Sequence, residues 1–353
     1  MKKVFSVLLA AMLAIVPMVF AVDIGGGIGV DITTEDFEPI VWLCDNRVVR
    51  DDAVEPGRIS EDDPRLVERI NNYAFEGESI EWDVVVFDKN GREKISDVYV
   101  TLGSTQGTGN DIEANCDEVN PYHIDFESCN ARILEERIYE IDPEVMVAYK
   151  CILTVETPNS MQGEYFITVE AEDMDGLLGA FAENEYWFLN PEIALSLSDS
   201  VLDFGDNVRP GTQSYSQTIL VGNDAEPGSG VMLDMFISGT DFYDPASSGA
   251  KCPISNTLLL DAFDYYVTNG AYSSYQDGRK DSEGYIGIGY GDHFDASMYG
   301  TNEILQAAAI GPYYAANVLA PGAEMAITFR LSLPEPCNGD FSDGDIFFWA
   351  EAI

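Results

Sequence analysis

The sequence predicts an all-β protein of two tandem β-sandwich domains with loop insertions and short helices. Residues 201–237, VLDFGDNVRPGTQSYSQTILVGNDAEPGSGVMLDMFI, carry this signal most clearly, because short alternating apolar runs lie between a Pro-Gly turn and a Gly-Asn-Asp turn. Runs of this kind, separated by turn residues about every ten positions, are typical of sandwich strands. A chain of 353 residues is long enough to bury two such cores.

The first 21 residues are predicted to be a secretory signal peptide. Lys2 and Lys3 precede an uncharged apolar core, and Val19 and Ala21 fit the small-residue rule for cleavage after Ala21. The apolar run is shorter than the ~20 residues that span a bilayer, and the residue directly after the cleavage point is Val22 rather than a cysteine. We therefore expect a secreted protein, extracellular or at the cell surface, with no membrane span or lipid anchor after cleavage.

Acidic residues far outnumber basic ones, with 62 Asp and Glu against 18 Lys and Arg, which gives a net charge of −44. Such a charge repels nucleic acid and anionic lipid, so neither is expected as a partner. Two explanations of the acidity stay open at this point. One is a solvated surface suited to high salt, and the other is binding of multivalent cations.

All six cysteines follow the signal peptide, and an even number in a secreted protein predicts disulfides. There is no C-x-x-C pair, so neither a zinc ribbon nor a thioredoxin-type redox site is supported. Cys116–Cys129 would close a short loop, and Cys252–Cys337 would clip the loop after Gly249 to the final hairpin. Elimination then leaves the third expected pair, Cys44–Cys151.

Residues 22–32, VDIGGGIGVDI, form a one-sided apolar strand interrupted by three glycines. The strand could be the edge strand of its own domain, or it could pair with a neighbouring molecule and join subunits. The apolar residues that share one side are Val22, Ile24, Ile28, Val30 and Ile32.

The N-terminal domain is predicted over 22–190. Residues 77–102 alternate as two strands around a turn at 88–91, and strands return at 145–155 and 163–176. Residues 103–143 break the alternation with Gly, Asn and Asp, so they are predicted to be an insertion pinned by a local disulfide, with a short helix over 131–138.

Two segments of this domain resemble immunoglobulin-like domains of prokaryotic surface proteins. They read VVVFDKNG…ISDVYV and GEYFITVEAEDMDG, and Tyr149-Lys-Cys151 matches the Tyr-x-Cys of antibody domains. Cys44 lies far before Trp82, and the middle insertion is large. The resemblance therefore implies a sandwich without the antibody-type disulfide core.

The C-terminal domain is predicted over 191–353, beginning at Pro191, which ends the preceding strand. Its VRPGT and TILVGN segments resemble secreted sandwich subunits of the TasA/camelysin type and related archaeal surface proteins. PEPCNGDFSDGDIFFWAEAI at 334–353 resembles uncharacterised secreted archaeal proteins. These resemblances imply a surface location and no known activity. A helix is predicted over 302–309, with strands over 325–333 and 346–349, the last within a sheet.

Catalytic groups are scarce, because His123 and His293 are the two histidines and no G-x-S-x-G or H-E-x-x-H motif occurs. We therefore expect no enzymatic activity. Calcium, which takes six to eight oxygen ligands, is the one candidate cofactor. Its candidate ligands lie in two acidic turns and are Asp173, Asp175, Asp343 and Asp345.

Eleven of the 18 tyrosines follow residue 192. Tyr265, Tyr266 and Tyr275 are candidates for a carbohydrate platform, against the simpler interpretation that they are core and rim aromatics. The sequence favours a secreted structural protein of the cell surface, as a subunit of a surface layer, filament or extracellular matrix. Its expected partners are other copies of the same chain or other surface proteins. The alternative is an adhesin or carbohydrate-binding module that uses these tyrosines to bind glycans.

Overall fold

The computed structural model describes residues 31–50, 71–131, 136–182, 186–205, 208–246, 249–311 and 313–353. These residues form an all-β structure without a helix longer than three residues, which confirms the predicted all-β class. Residues 37–353 form one compact unit. Residues 31–36 belong to a separate N-terminal unit, and they are irregular and exposed. The signal peptide and the strand at 22–30 lie outside the described residues.

The first half of the compact unit is a single eleven-stranded sheet, with strand order β2-β11-β9-β4-β5-β8-β3-β1-β6-β7 and β10 added to β9. Its short 3₁₀ helices are Arg92–Lys94, Pro121–His123 and Phe126–Ser128. The strands are β1 (Ile40–Arg50), β2 (Tyr73–Ala74), β3 (Ser79–Phe87), β4 (Ile95–Gly103), β5 (Ile112–Val119), β6 (Cys129–Ala131), β7 (Glu136–Arg137), β8 (Met146–Thr154), β9 (Gly163–Asp173), β10 (Leu178–Phe181) and β11 (Tyr186–Leu189).

This sheet folds over so that its two ends enclose one core. Trp82 in β3 and Trp187 in β11 have four strands between them in the sheet, yet their rings meet edge to face at 5.8 Å. Gly179 in β10 lies so close to the chain before β1 that a Cβ would stand 1.8 Å from the carbonyl oxygen of Pro39. The first half is therefore a sandwich made from one continuous sheet.

The second half is a sandwich of two sheets, β12-β13-β24-β17 with β18 and β19, and β20-β14-β23 with β25. Its 3₁₀ helices are Leu260–Ala262, Ser274–Gln276 and Ala296–Met298. The strands are β12 (Leu195–Leu197), β13 (Gln213–Asn223), β14 (Leu233–Gly239), β15 (Phe242–Tyr243), β16 (Thr257–Leu258), β17 (Phe263–Asn269), β18 (Tyr272–Ser273), β19 (Ile286–Gly287), β20 (Gly289–Tyr290), β21 (Ala309–Ile310), β22 (Tyr313–Tyr314), β23 (Val318–Leu319), β24 (Glu324–Ser332) and β25 (Ile346–Ala352).

The two halves share buried contacts. Tyr73 and Phe188, from strands of the first sheet, pack into the core of the second half. The hydroxyl of Tyr73 donates to the carbonyl oxygen of Ile353 at 2.5 Å, and Asn71 Nδ2 donates to Gly230 O at 2.7 Å. The predicted boundary at 190/191 falls between the last strand of one sheet and the first strand of the next. Independent folding of the two halves stays a prediction.

The three disulfides confirm one predicted pair and correct the other two. Cys252–Cys337 is present as expected. The expected Cys116–Cys129 and Cys44–Cys151 pairs are wrong, because Cys116 and Cys151 lie directly opposite each other in β5 and β8, and Cys44 and Cys129 do so in β1 and β6. The observed pairs are Cys44–Cys129, Cys116–Cys151 and Cys252–Cys337.

The predicted insertion at 103–143 is partly a sheet element. Its residues Ile112–Val119 form β5, which lies between β4 and β8 inside the first sheet. The helix predicted over 131–138 is absent among the described residues, where β6 and β7 pair instead and 132–135 lie outside the description. The turn at 88–91 is present, but β3 and β4 do not pair with each other, because the turn carries the chain between the two walls of the sandwich.

The helix predicted over 302–309 is also wrong. Ile304 and Leu305 are fully buried, and Ile304 N donates to Met235 O, so this segment packs as irregular chain against one edge of β14. Residues 201–204, predicted as strand-like, are irregular as well. The final strand, expected within a sheet, pairs with β14 alone and is an edge strand.

Candidate functional site

The first candidate site is the free edge of the seven-residue strand β25. Ile353 N donates to Met232 O and Thr240 N donates to Asp345 O, so the odd-numbered residues of this strand face β14. The backbone groups of the even-numbered residues therefore point to the other edge, where no described strand pairs with them. Those residues are Ile346, Phe348, Ala350 and Ala352.

A cleft of about 840 Å³ opens beside this edge, and Ile346 and Phe348 are part of its wall. Its other wall residues come from the chain before β13, from β13, β15, β16, β17 and β24, and from the segment before β25. They include many apolar side chains and also the carboxylates of Asp199, Asp340 and Asp345. β25 carries one charged residue, Glu351, whose carboxylate accepts a hydrogen bond from the hydroxyl of Tyr299. An unpaired edge that carries one charged residue, beside a cleft with apolar side chains in its wall, is a place where an added strand can bind.

The second candidate site is a row of four tyrosines on the outer face of the sheet that contains β13, β24 and β17. We call it the tyrosine row: Tyr215, Tyr285, Tyr266 and Tyr275. Consecutive ring centroids in this order are 6.0, 5.8 and 5.9 Å apart. Tyr215 is 50% exposed and Tyr275 is 58% exposed, and the two between them are half-buried.

Arg330 anchors the tyrosine row from below. It lies in β24 opposite Tyr215 and Asp264, and its guanidinium carbon stands 4.3 Å from the ring centroid of Tyr285. The guanidinium donates to Asp264 at 2.6 Å, to Asp281 at 2.7 Å and to Glu283 at 2.8 Å. Burial disfavours the charged guanidinium, but its hydrogen bonds to Asp264 and Asp281 outweigh this effect and raise the pKa of Arg330. One cation thus holds three carboxylates and a ring in fixed positions.

Sequence reasoning named part of this row and missed the rest. Tyr266 and Tyr275 are members, but Tyr265 is fully buried, and its hydroxyl donates to Ile304 O at 2.8 Å. The alternation of β17 could have shown that Tyr265 is buried, because it points to the same side of the strand as the buried Phe263 and Val267. Tyr285 belongs to the same tyrosine-rich part of the chain as Tyr266 and Tyr275. Tyr215 was missed because it joins the row from β13, in a different part of the chain.

The candidate calcium ligands do not converge among the described residues, where no group of three or more His, Cys, Asp or Glu side chains could hold a metal. Asp173 Oδ1 accepts from the backbone N–H groups of Asp175 and Leu177, and Asp175 pairs with Lys94. Asp343 is hydrogen-bonded to Tyr243, and the backbone N–H of Asp345 donates to Thr240 Oγ1. These carboxylates shape turns, and the calcium hypothesis gains no support from them.

The histidines do not form a nucleophile–base pair in the described structure. His293 lies between Asp292 at 2.7 Å and Asp295 at 3.4 Å, and the hydrogen bond that its ring donates to the Asp292 carboxylate raises the pKa of His293. The hydroxyl of Ser297 donates to Asp295 rather than to this histidine. His123 lies in a short 3₁₀ helix on the surface.

The predicted assembly strand lies mostly outside the described residues. Ile32, its last apolar residue, is described and is 78% exposed in irregular chain. In the described part of the chain, no helix is long and apolar enough to cross a membrane. Three disulfides and no free cysteine among the described residues are typical of an oxidising, extracellular compartment.

Comparison with known proteins gives no family. No family model matches the chain, and no curated protein matches it. The C-terminal domain of the AgI/II polypeptide BspA of Streptococcus agalactiae is similar in structure at 9% identity, covering 89% of this chain and 97% of that one, with a TM-score of 0.29.

Two other solved structures are weaker likenesses. The collagen adhesin of S. aureus matches at 10% identity, over 88% of this chain and 87% of that one, with a TM-score of 0.15. The secreted serine protease VesC of Vibrio cholerae matches at 12% identity, over 78% of this chain and 47% of that one, with a TM-score of 0.16. At such TM-scores, none of the three carries an argument about function.

Proposed function

We propose that this protein is a secreted subunit of an extracellular assembly, such as a surface layer, a filament or a matrix. The single observation that carries the proposal is the edge of β25 that no described strand pairs with, beside an open cleft with apolar side chains in its wall. Residues 22–32 of a neighbouring copy are the strand that would bind there. No catalytic role is part of the proposal.

The chemistry of residues 22–32 suits that edge. Main-chain hydrogen bonds to the outward groups of β25 give affinity, and alternate side chains set the register. Val22, Ile24 and the later apolar residues share one parity, so all of them can enter the cleft while Asp23 and Asp31 stay in solvent. Gly25, Gly26 and Gly27 let the strand approach another backbone closely.

The test compares three variants of the secreted chain by sedimentation at high protein concentration and high salt. Deletion of 22–32 removes the donor strand. Ala350→Pro removes one outward N–H of β25 and leaves its pairing with β14 in place. Ala180→Pro is the matched control, because Ala180 is also an outward-facing alanine of an edge strand, in β10.

We expect the wild type and Ala180→Pro to assemble, and we expect the deletion and Ala350→Pro to stay monomeric with the melting temperature of the wild-type monomer. A peptide of sequence VDIGGGIGVDI should bind the deletion variant and fail to bind it once Ala350→Pro is added. A full-length protein that stays monomeric under these conditions would contradict the proposal. So would a deletion variant that unfolds, since the strand would then belong to its own domain.

A further inference from the structure

The tyrosine row is a second binding site, and we propose that its ligand is a neutral carbohydrate chain. It lies on the outer face of the sheet of β13, β24 and β17, whereas the proposed assembly edge belongs to the other sheet of the same sandwich. Subunits could therefore assemble and bind a glycan at the same time, and neither proposal depends on the other.

The rings have the right character for sugars. A pyranose has an apolar face of C–H groups that stacks on an aromatic ring, and hydroxyls around its rim that need hydrogen-bond partners. Tyrosine offers both an apolar ring and a polar hydroxyl. Four rings at nearly equal spacing of about 6 Å, with successive ring planes inclined by 44°, 54° and 73°, form an open, stepped track rather than a closed pocket. A track suits a chain of several sugar units.

Polar groups accompany the track. Asp264, Asp281 and Glu283 hold carboxylate oxygens next to the rings, and all three are fixed by Arg330. Thr218 and Thr328 form a hydroxyl pair at 2.7 Å on strands β13 and β24, with Thr328 directly opposite Tyr266. Few, precisely oriented polar groups among aromatic side chains are the usual composition of a small-molecule site.

The site is already formed in the free protein. Gly284, at φ 90°, lies so close under the row that a Cβ would stand 3.2 Å from Tyr275 and 3.3 Å from Tyr266. A side chain at this position would push both rings. Together with Arg330 below Tyr285, this contact fixes the rings, which lowers the entropy that binding costs.

Charge decides which carbohydrate fits. Three carboxylates surround one guanidinium at the row, and the whole chain carries −44, so anionic sugars are repelled. A cationic ligand would have to compete with Arg330, because Arg330 already packs against the ring of Tyr285 and pairs with the three carboxylates next to it. A neutral chain avoids both conflicts.

The test is affinity electrophoresis of the intact secreted protein in gels that contain neutral polysaccharides, namely soluble cellulose, chitin, mannan and starch derivatives. Alginate serves as the anionic probe and choline, added in solution, as the cationic one. Tyr275→Ala and Tyr215→Ala remove the two most exposed rings of the row. Tyr122→Ala is the matched control, because Tyr122 is an exposed tyrosine in the first half of the chain.

We expect at least one neutral polysaccharide to retard the wild type and Tyr122→Ala. Each row variant should weaken this binding about tenfold, which is the loss expected when one aromatic contact of a binding site is truncated. The proposal is overturned if no neutral polysaccharide binds, if the row variants bind like the wild type, or if alginate or choline binds in place of the neutral chains. Circular dichroism of each variant separates lost binding from lost folding.

Discussion

Asp234 is a buried carboxylate in β14 without a cationic partner among its described contacts. Its Oδ1 accepts from Asn317 Nδ2 at 2.7 Å, and Asn317 in turn accepts from Leu305 N at 2.9 Å. Burial, together with the charges of Glu303 and Glu351, raises the pKa of Asp234 to about 7. The folded protein therefore keeps a proton here that the unfolded chain releases near its ordinary pKa of about 3.9.

Asp234→Asn is expected to stabilise the protein above neutral pH. Because the folded pKa is raised, the cost of ionising Asp234 appears as pH rises from about 4 to about 7 and is complete above that range. The amide keeps the acceptor for Asn317 and carries no charge. Urea unfolding should show a gain of about 2 to 4 kcal/mol at pH 8 and almost none at pH 4.

Asp261→Asn is the control for this measurement, because Asp261 is exposed. Its effect on unfolding should be small and should not follow the same rise between pH 4 and pH 8. A gain for Asp234→Asn that is equal at both pH values would show that the raised pKa is wrong.

At the scale of strands, local alternation predicted the elements whose inward residues are all apolar. β24 is one example, with Met325, Ile327 and Phe329 buried as the pattern requires. β5 was missed because its sequence, IEANCDEV, carries few apolar residues and owes its place to pairing with β4 and β8. Such long-range pairing is absent from local sequence, and the error in the cysteine pairs follows directly from it.

The corrected disulfides give a direct measurement. Peptide mapping of the non-reduced protein should recover Cys44 with Cys129, Cys116 with Cys151, and Cys252 with Cys337. Replacing Cys116 and Cys151 together by Ala should lower the free energy of unfolding by about 4 kcal/mol, since the pair closes a loop of 35 residues. A peptide that joins Cys116 to Cys129 would contradict the structure of β5.

At the scale of the whole molecule, the sequence indicated a boundary near residue 190 but not the contacts across it. It indicated Tyr266 and Tyr275 but not the whole tyrosine row or the free edge of β25, because both combine residues that are far apart in the chain. The contact between halves depends on Tyr73, which lies in a two-residue strand with no visible periodicity. Contacts between the halves depend on tertiary packing, and the local sequence pattern does not predict them.

Tyr73→Phe tests the coupling of the halves. The change removes the buried hydrogen bond to Ile353 O and leaves that oxygen without its partner. A loss of about 1 to 3 kcal/mol is expected. Because Tyr73 packs in the core of the second half, calorimetry should show one transition that moves as a whole to lower temperature. Two transitions, with only one of them displaced, would show that the halves unfold independently.

The net charge of −44 makes the folded chain repel itself, so added salt should stabilise it. The two explanations of the acidity differ in what kind of salt is effective. The described acidic residues form no group that could hold a metal. For these residues we therefore predict that salt acts by screening the repulsion between their charges. We expect NaCl and CaCl₂ at matched ionic strength to raise the melting temperature equally.

A larger rise in millimolar CaCl₂ would contradict this expectation and would favour bound multivalent cations as the explanation of the acidity. Replacing Asp173, Asp175, Asp343 and Asp345 by Asn would then test the candidate ligands, because the loss of the calcium-specific part of the rise alone would assign the cation to them. Equal effects of both salts would show that the acidity acts through general repulsion, which salt reduces at every surface through which subunits approach one another.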